Sequence, residues 1–239
     1  MMQGAAGAGG GTKYVDEVFD IWTYKGTGTT HKRTSSVDNT KGGMLLWAAR
    51  NSGANRYLYD SVRGRAWSLY PDSTSAGDVR TNNEDIQSFD NNGFTLERNN
   101  VNYTGYESVI WNFRKAPGFF DFFQYTGTGS DNNIQSHKLG DLPGLIIVKR
   151  ISGSGDYVAV IPWPGGTEYG FGSVSNPFAW NTDGTVQNVT AFANIATTTT
   201  VNVSRLQQGS GGGGTWDSAG ADINQSGDVW CSHANFSSG

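Results

Sequence analysis

Short runs of β-branched and aromatic residues succeed one another along this chain, each closed by turn formers. Residues 18–24 (VFDIWTY), 43–49 (GMLLWAA), 56–62 (RYLYDSV), 66–70 (AWSLY), 93–97 (GFTLE) and 108–114 (SVIWNFR) are the clearest in the first half. Between them stand Asn51-Ser52-Gly53, Pro71-Asp72 and Asp90-Asn91-Asn92-Gly93, residue types that accept tight-turn geometry. No stretch carries a sustained apolar stripe at helical period. The spacing therefore predicts an all-β fold, a β-sandwich of jelly-roll or lectin-like type. The unbroken apolar run around Leu46 and Trp47 predicts a strand covered on both faces. Residues 56–61 alternate as a two-faced strand in which either face can be the core one. Residues 73–84 read as a polar loop, and 85–89 fits a helical turn or a short strand equally well.

The pattern then repeats. Phe19-Asp20-Ile21-Trp22-Thr23-Tyr24-Lys25-Gly26-Thr27-Gly28 returns as Phe120-Asp121-Phe122-Phe123-Gln124-Tyr125-Thr126-Gly127-Thr128-Gly129, and Gly43-Met44-Leu45-Leu46-Trp47 returns as Gly144-Leu145-Ile146-Ile147-Val148 at the same offset of 101 residues. Arg50-Asn51-Ser52-Gly53 and Arg150-Ile151-Ser152-Gly153 continue the match after one deletion. Two matches in one register predict an internal duplication of about 100 residues, two variants of one supersecondary unit. The expected organisation is a flexible Gly/Ala arm over residues 1–14, a first β unit over 15–117, and a second over 118–239 with a divergent C-terminal part, packed as one compact body. Leu145-Ile146-Ile147-Val148 is the most apolar run and predicts a central strand of the main sheet. Two segments compete for the place of Phe89-Asp90-Asn91-Asn92-Gly93 in the second copy: Trp180-Asn181-Thr182-Asp183-Gly184 and Trp216-Asp217-Ser218-Ala219-Gly220. The second is favoured, and it makes Val229-Trp230-Cys231 the counterpart of Ile110-Trp111-Asn112. Residues 197–205 (TTTTVNVSR) read as an added strand, and the Gly-rich 209–214 as a flexible connector.

Composition narrows the function classes. Charged residues make 16% of the chain, below the ~25% usual for soluble domains, and Asn, Thr, Ser and Gly take their places. A net charge of −4 offers no basic field to a phosphate backbone, so no nucleic-acid partner is expected. No apolar run approaches the ~18 residues of a membrane span, so no membrane insertion is expected. The single cysteine, Cys231, leaves no intrachain disulfide and no thiol pair for zinc, and reads as a small buried hydrophobe. Residues 1–11 (MMQGAAGAGGG) hold nothing large enough to bury and read as an arm that a neighbouring subunit could order.

No catalytic, metal or cofactor motif emerges, and no cofactor is expected. His31, His137 and His233 are too scattered for a metal site. His31 and His137 fall in corresponding turn regions, each followed by Lys. Glu107, Asp121, Asp156 and Glu168 are candidates for paired-carboxylate glycoside hydrolysis by residue type only, since none sits in an alternating acidic strand. Trp22, Trp47, Trp67 and Trp111 lie inside predicted strands and read as core. Trp163 differs, because Pro162, Pro164, Gly165 and Gly166 hold it in a loop, and with Tyr169 it is the candidate surface contact.

Several segments together resemble a repeat found in uncharacterised tail-fibre-like and virion structural proteins of bacteriophages, of the marine or cyanophage type. They are Tyr125-Thr126-Gly127-Thr128-Gly129, Ser136-His137-Lys138-Leu139-Gly140 and Pro143-Gly144-Leu145-Ile146-Ile147-Val148-Lys149-Arg150, with Tyr59-Asp60-Ser61-Val62-Arg63-Gly64 and Lys115-Ala116-Pro117-Gly118-Phe119-Phe120-Asp121. The similarity covers residues 19–157 and brings no catalytic residues. It implies a non-enzymatic virion protein, a tail fibre, capsid fibre or decoration subunit, that mediates assembly or surface attachment. Its expected partners are other virion subunits and further copies of itself. A host glycan-binding, lectin-like module is the alternative expectation, and a polysaccharide depolymerase the third.

Overall fold

The computed structural model describes residues 14–73, 77–79, 85–127, 133–151, 157–161, 168–173, 187–189, 196–202 and 227–232. A first compact unit takes the chain up to Asp72 and from Gly77 to Lys115, and a second takes it from Ala116 onward. The first carries β1 (Phe19–Lys25), β2 (His31–Thr34), β3 (Gly43–Ala49), β4 (Tyr57–Asp60), β5 (Trp67–Ser68), β6 (Asp78–Val79), β7 (Ile86–Asp90), β8 (Gly93–Leu96) and β9 (Glu107–Arg114). The second carries β10 (Phe120–Tyr125), β11 (Ile134–Ser136), β12 (Leu145–Arg150), β13 (Tyr157–Ile161), β14 (Glu168–Ser173), β15 (Gln187–Val189), β16 (Thr200–Asn202) and β17 (Gly227–Ser232). Helical structure among the described residues is limited to three-residue 3-10 turns. The all-β expectation therefore holds.

The first unit is a sandwich of two antiparallel sheets, one ordered β1-β9-β3-β4 and the other β2-β8-β7. Strand β9 shows why. Its residues alternate, with Ser108, Ile110, Asn112 and Arg114 buried and Val109, Trp111 and Phe113 only partly so, the period-2 signature of a strand with one face on a core. That core joins Leu45, Trp47, Tyr57, Tyr59 and Ile110 of one sheet to Ile86, Phe94 and Leu96 of the other. The β7–β8 hairpin turns through Asn91-Asn92 onto Gly93, whose φ is +116°. A Cβ there would stand 2.0 Å from the Arg33 carbonyl oxygen on β2, so only glycine lets the second sheet close.

The sequence motif Tyr59-Asp60-Ser61-Val62-Arg63-Gly64 is a turn locked from inside. One Asp60 carboxylate oxygen accepts the amides of Val62 and Arg63 at 2.9 and 2.8 Å, and the other accepts Arg63 Nε–H at 2.6 Å. Both side chains are almost fully buried, 2% and 1% exposed. A charge so placed is tolerated only with its partner present.

The second unit repeats the first sheet strand for strand. Its six-stranded sheet is ordered β10-β17-β12-β13-β14-β15, so β10, β17, β12 and β13 stand where β1, β9, β3 and β4 stand. Registers agree too. Leu46 lies opposite Trp111 and Leu58, and Ile147, 101 residues on, lies opposite Trp230 and Ala159. Val229-Trp230-Cys231 is thus the counterpart of Ile110-Trp111-Asn112, as expected, and β12 is interior to its sheet.

Three readings are corrected. The place of Phe89–Gly93 is held by residues 196–200, since His137 N–H donates to the Thr199 carbonyl just as Ser35 N–H donates to that of Asn92, and Ser136 faces Thr200 as Thr34 faces Gly93. Here the Thr197 hydroxyl accepts the amides of Thr199 and Thr200 at 3.2 and 2.9 Å, closing a turn without glycine. Strand β16 is accordingly the counterpart of β8 and not an addition. Residues 180–184 and 216–220 lie outside the described residues. His137 likewise matches Ser35, whereas His31 sits on β2 itself.

Ile147, 7% exposed at the centre of its sheet, gives a direct test. Ile147→Ala should lower unfolding free energy by about 2–5 kcal/mol. Lys138→Ala, on an exposed loop side chain, should stay within ~0.5 kcal/mol when both are compared by chemical denaturation.

Candidate interaction site

At one end of the first unit, two loops dock backbone to backbone. The β1–β2 loop carries Gly26-Thr27-Gly28, and the β8–β9 loop runs through Asn102-Tyr103-Thr104-Gly105-Tyr106. Gly26 N–H donates to the Tyr106 carbonyl at 2.7 Å, Gly28 N–H to that of Asn102 at 2.9 Å, and Gly105 N–H returns to the Gly26 carbonyl at 3.1 Å. A Cβ on Gly26 would lie 2.0 Å from the Tyr103 carbonyl oxygen, so the Gly of this repeated motif is what allows the approach. Asn102, fully buried, stitches the seam. Its side-chain oxygen accepts Thr27 N–H at 3.0 Å, and its amide group donates to the Thr29 carbonyl and to the Thr27 hydroxyl.

Beneath the loops lies Tyr24. Its hydroxyl donates to the Val101 carbonyl and accepts Trp47 Nε1–H at 3.0 Å. Burial pushes its phenol well above the ordinary range, an effect the Trp47 hydrogen bond partly offsets and the negative charge of Asp85 reinforces. Asp85 is itself fully buried, accepting the Tyr59 hydroxyl at 2.6 Å and the Asn100 amide at 3.3 Å. The result is a rigid end platform. It displays Tyr103, 59% exposed, whose ring stands 5.2 Å from that of Tyr106, which in turn lies 6.3 Å from Trp47 in the core. Thr27, Thr29 and Thr104 bring hydroxyl groups to the same loops.

A second surface is the outer face of the β1-β9-β3 sheet. The residues alternating with the core positions are Phe19, Ile21, Val109, Trp111, Phe113 and Leu46, with Ile21 50% exposed and the Phe19 and Phe113 rings 4.9 Å apart. At the equivalent positions of the second unit, Phe122 and Ile147 are buried. An antiparallel sheet facing water normally alternates to polar residues on that side; this one is apolar over Phe19, Ile21, Val109, Trp111, Phe113 and Leu46 and turns polar only at the end where Thr23, Lys25 and Glu107 share the face.

The residues picked out from sequence fare unevenly. Trp163 lies outside the described residues. Tyr169 is on β14, its backbone opposite Ile161 and Asn188. Of the four carboxylates, Glu107 is exposed at a sheet end opposite Lys25, the Glu168 backbone stands opposite Val189, and Asp156 is outside the described residues. Asp121 is buried and accepts the Lys138 amide at 2.8 Å, as Asp20 holds Arg33 at 3.2 Å, so both copies use this Asp to staple the segment that follows. His31 packs edge-on to Trp22, and His137 bonds the Thr197 carbonyl through Nε2. No group of three His, Cys, Asp or Glu among the described residues could hold a metal ion. Sequence reasoning missed Tyr103, Tyr106 and Ile21. The echo of Tyr125-Thr126-Gly127 in Tyr103-Thr104-Gly105 was the available signal for the first two.

Duplicated antiparallel sheets define a protein of all-β class. Residues 13–216 match the family model described as a domain of unknown function, DUF7483, and the chain belongs to that family. No curated protein and no solved structure matches it.

Tyr24 supplies a pH test. Its folded pKa lies above the unfolded value near ~10, so its contribution is complete below that pH and is lost as the unfolded chain ionises above it. Stability measured by denaturant midpoint should fall above pH ~10, less steeply in Tyr24→Phe. That variant should also be about 1–3 kcal/mol less stable at neutral pH, because the Trp47 N–H loses its acceptor.

Proposed function

We propose that this chain is a non-enzymatic structural component of a bacteriophage virion, of tail-fibre, capsid-fibre or decoration type, working in multiple copies to mediate assembly or surface attachment. The observation that carries the reading is the apolar outer face of β1-β9-β3 with Ile21 half exposed. Contiguous apolar side chains on a sheet face favour association with other protein surface over water. The sequence resemblance to virion proteins supplies the setting, and the low charge content suits an interface. In sedimentation the wild-type chain should self-associate, and Ile21→Asp should sediment as monomer with its melting temperature shifted by no more than about 2 °C. In particles of the source phage, the wild-type protein should appear at multiple copies and the variant should be depleted. A monomeric wild type at high concentration, absent from particles, refutes the reading.

The exposed Tyr103 beside Tyr106 favours a second reading, binding of a host surface glycan by ring stacking. Tyr103→Ala should abolish retention on a host-polysaccharide column without changing the melting curve. Equal retention of both proteins removes this reading.

A further inference from the structure

Strand β1 is the outer strand of its sheet, bonded to β9 on one side only. The two ends of that ladder show which of its backbone groups β9 uses. Gly26 N–H donates to the Tyr106 carbonyl and Arg114 N–H to that of Val18, and both pairs continue the register that sets Phe19 opposite Phe113 and Lys25 opposite Glu107. Bonded and non-bonded pairs alternate in an antiparallel ladder, so Asp20, Trp22 and Tyr24 turn their N–H and C=O groups to β9. Phe19, Ile21, Thr23 and Lys25 turn theirs to the free edge. Strand β9 divides its bonds in the same way: Lys115 N–H donates to the Gly42 carbonyl and the Glu107 carbonyl accepts Arg50 N–H, which leaves the residues between, taken alternately, for β3 and β1. Among the described residues nothing else bonds the backbone of residues 19–25.

Open edges are templates for further strands, and folds normally protect them. The edge of β4 is engaged by Leu69, which exchanges both backbone bonds with Leu58 at 2.9 Å. Strand β7 carries a bulge between Ile86 and Ser88, and β2 is four residues long with Lys32 and Arg33 at its middle. On β10, the counterpart of β1, Phe120 exchanges bonds with Ala116 at 2.9 and 3.1 Å, and Phe122, standing where Ile21 stands, is 1% exposed. Strand β1 has none of these protections. Its seven residues keep an unbroken register without proline, Ile21 is 50% exposed, and Thr23 and Lys25 are exposed beside it.

We infer that β1 pairs antiparallel with β1 of a second copy of this chain, about a two-fold axis through Trp22. The backbone groups of an antiparallel edge are self-complementary under such an axis. With Trp22 facing the partner's Trp22, Phe19 exchanges bonds with the partner's Lys25 and Ile21 with the partner's Thr23, and every outward N–H and C=O of the strand is satisfied. Charge selects the same partner and the same direction. The turn Val15–Glu17 brings Asp16 and Glu17 to one end of β1, and Lys25 stands at the other. None of the three joins an ion pair among the described residues. Antiparallel pairing lays each Lys25 beside the acidic turn of the other copy, whereas parallel pairing would set like charge against like. The inference rests on the multi-copy reading given above and names the contact behind it.

One substitution separates the edge from the face. The N–H of Thr23 points to the free edge, so Thr23→Pro removes an outward donor and no bond of the β9 ladder, a position at which a strand tolerates proline. In sedimentation the full-length wild type and Thr23→Val should both self-associate, and Thr23→Pro should be monomeric at the same concentration, with a melting temperature within ~5 °C of the wild type. If Thr23→Pro fails to fold, an equimolar mixture of Ile21→Cys and Thr23→Cys, each in a Cys231→Ser background, gives the answer instead. Oxidation should link them into dimers through a 21–23 bond, because bonded residues of an antiparallel pair have Cα atoms ~5.5 Å apart, within the range a disulfide spans. Thr23→Pro as oligomeric as the wild type, or a mixture without the 21–23 bond, overturns the edge pairing and leaves assembly through the apolar face standing. A monomeric wild type removes both.

Discussion

The ladder formed by the last strand of each unit is the interaction on which the rest of the structure depends. Strand β9 satisfies β1 and β3 at once, across seven residue pairs with each, and its inward residues reach the core. Removing it would strand the backbone polar groups of both neighbours and open the sandwich along its middle, where an unpaired buried N–H or C=O costs as much as a lost hydrogen bond. Strand β17 does the same for β10 and β12. Loops, aromatic platform and outer face are all referred to these two ladders for their positions.

Around the first ladder, polar side chains decide how the loops close. Asp85, Tyr59 and Asn100 form one hydrogen-bonded cluster, Asp60 and Arg63 another, and buried Asn102 with Thr27 and Thr29 a third. Such groups add little net stability when exchanged for well-packed apolar ones, but they are expensive when half-satisfied. Their effect is to reject alternative loop placements. A chain with few surface charges is well served by this, because turn geometry is fixed by internal partners and not by exposed ion pairs.

Much of the fold was legible in the sequence, for identifiable reasons. Strands β1, β3, β4 and β9 stand out because their β-branched and aromatic residues cluster between turn formers, and the duplication exposed β10 and β12 as the counterparts of β1 and β3 because one offset of 101 residues covers both. Strand β7 stayed open because a bulge between Ile86 and Ser88 breaks the alternation that marks a strand. The turn at Thr197 was hidden because four consecutive threonines look like strand, and only their hydroxyl geometry makes them a corner. The platform was illegible for a different reason: Asn102 and Thr27 are 75 residues apart, and nothing local in either loop announces the other.

Insertion of the final strand into the sheet interior also sets the order in which the chain can fold. Phe120 and Ser232 are direct neighbours in the sheet, yet more than a hundred residues of chain separate them. Contacts of such range carry a loop-closure cost before any pairing repays it, and they slow folding accordingly. During synthesis, β10 and β12 leave the ribosome well before the strand that belongs between them. For that interval the apolar Leu145-Ile146-Ile147-Val148 segment has an open edge, which makes the nascent second unit the stage at which a chaperone has most to protect.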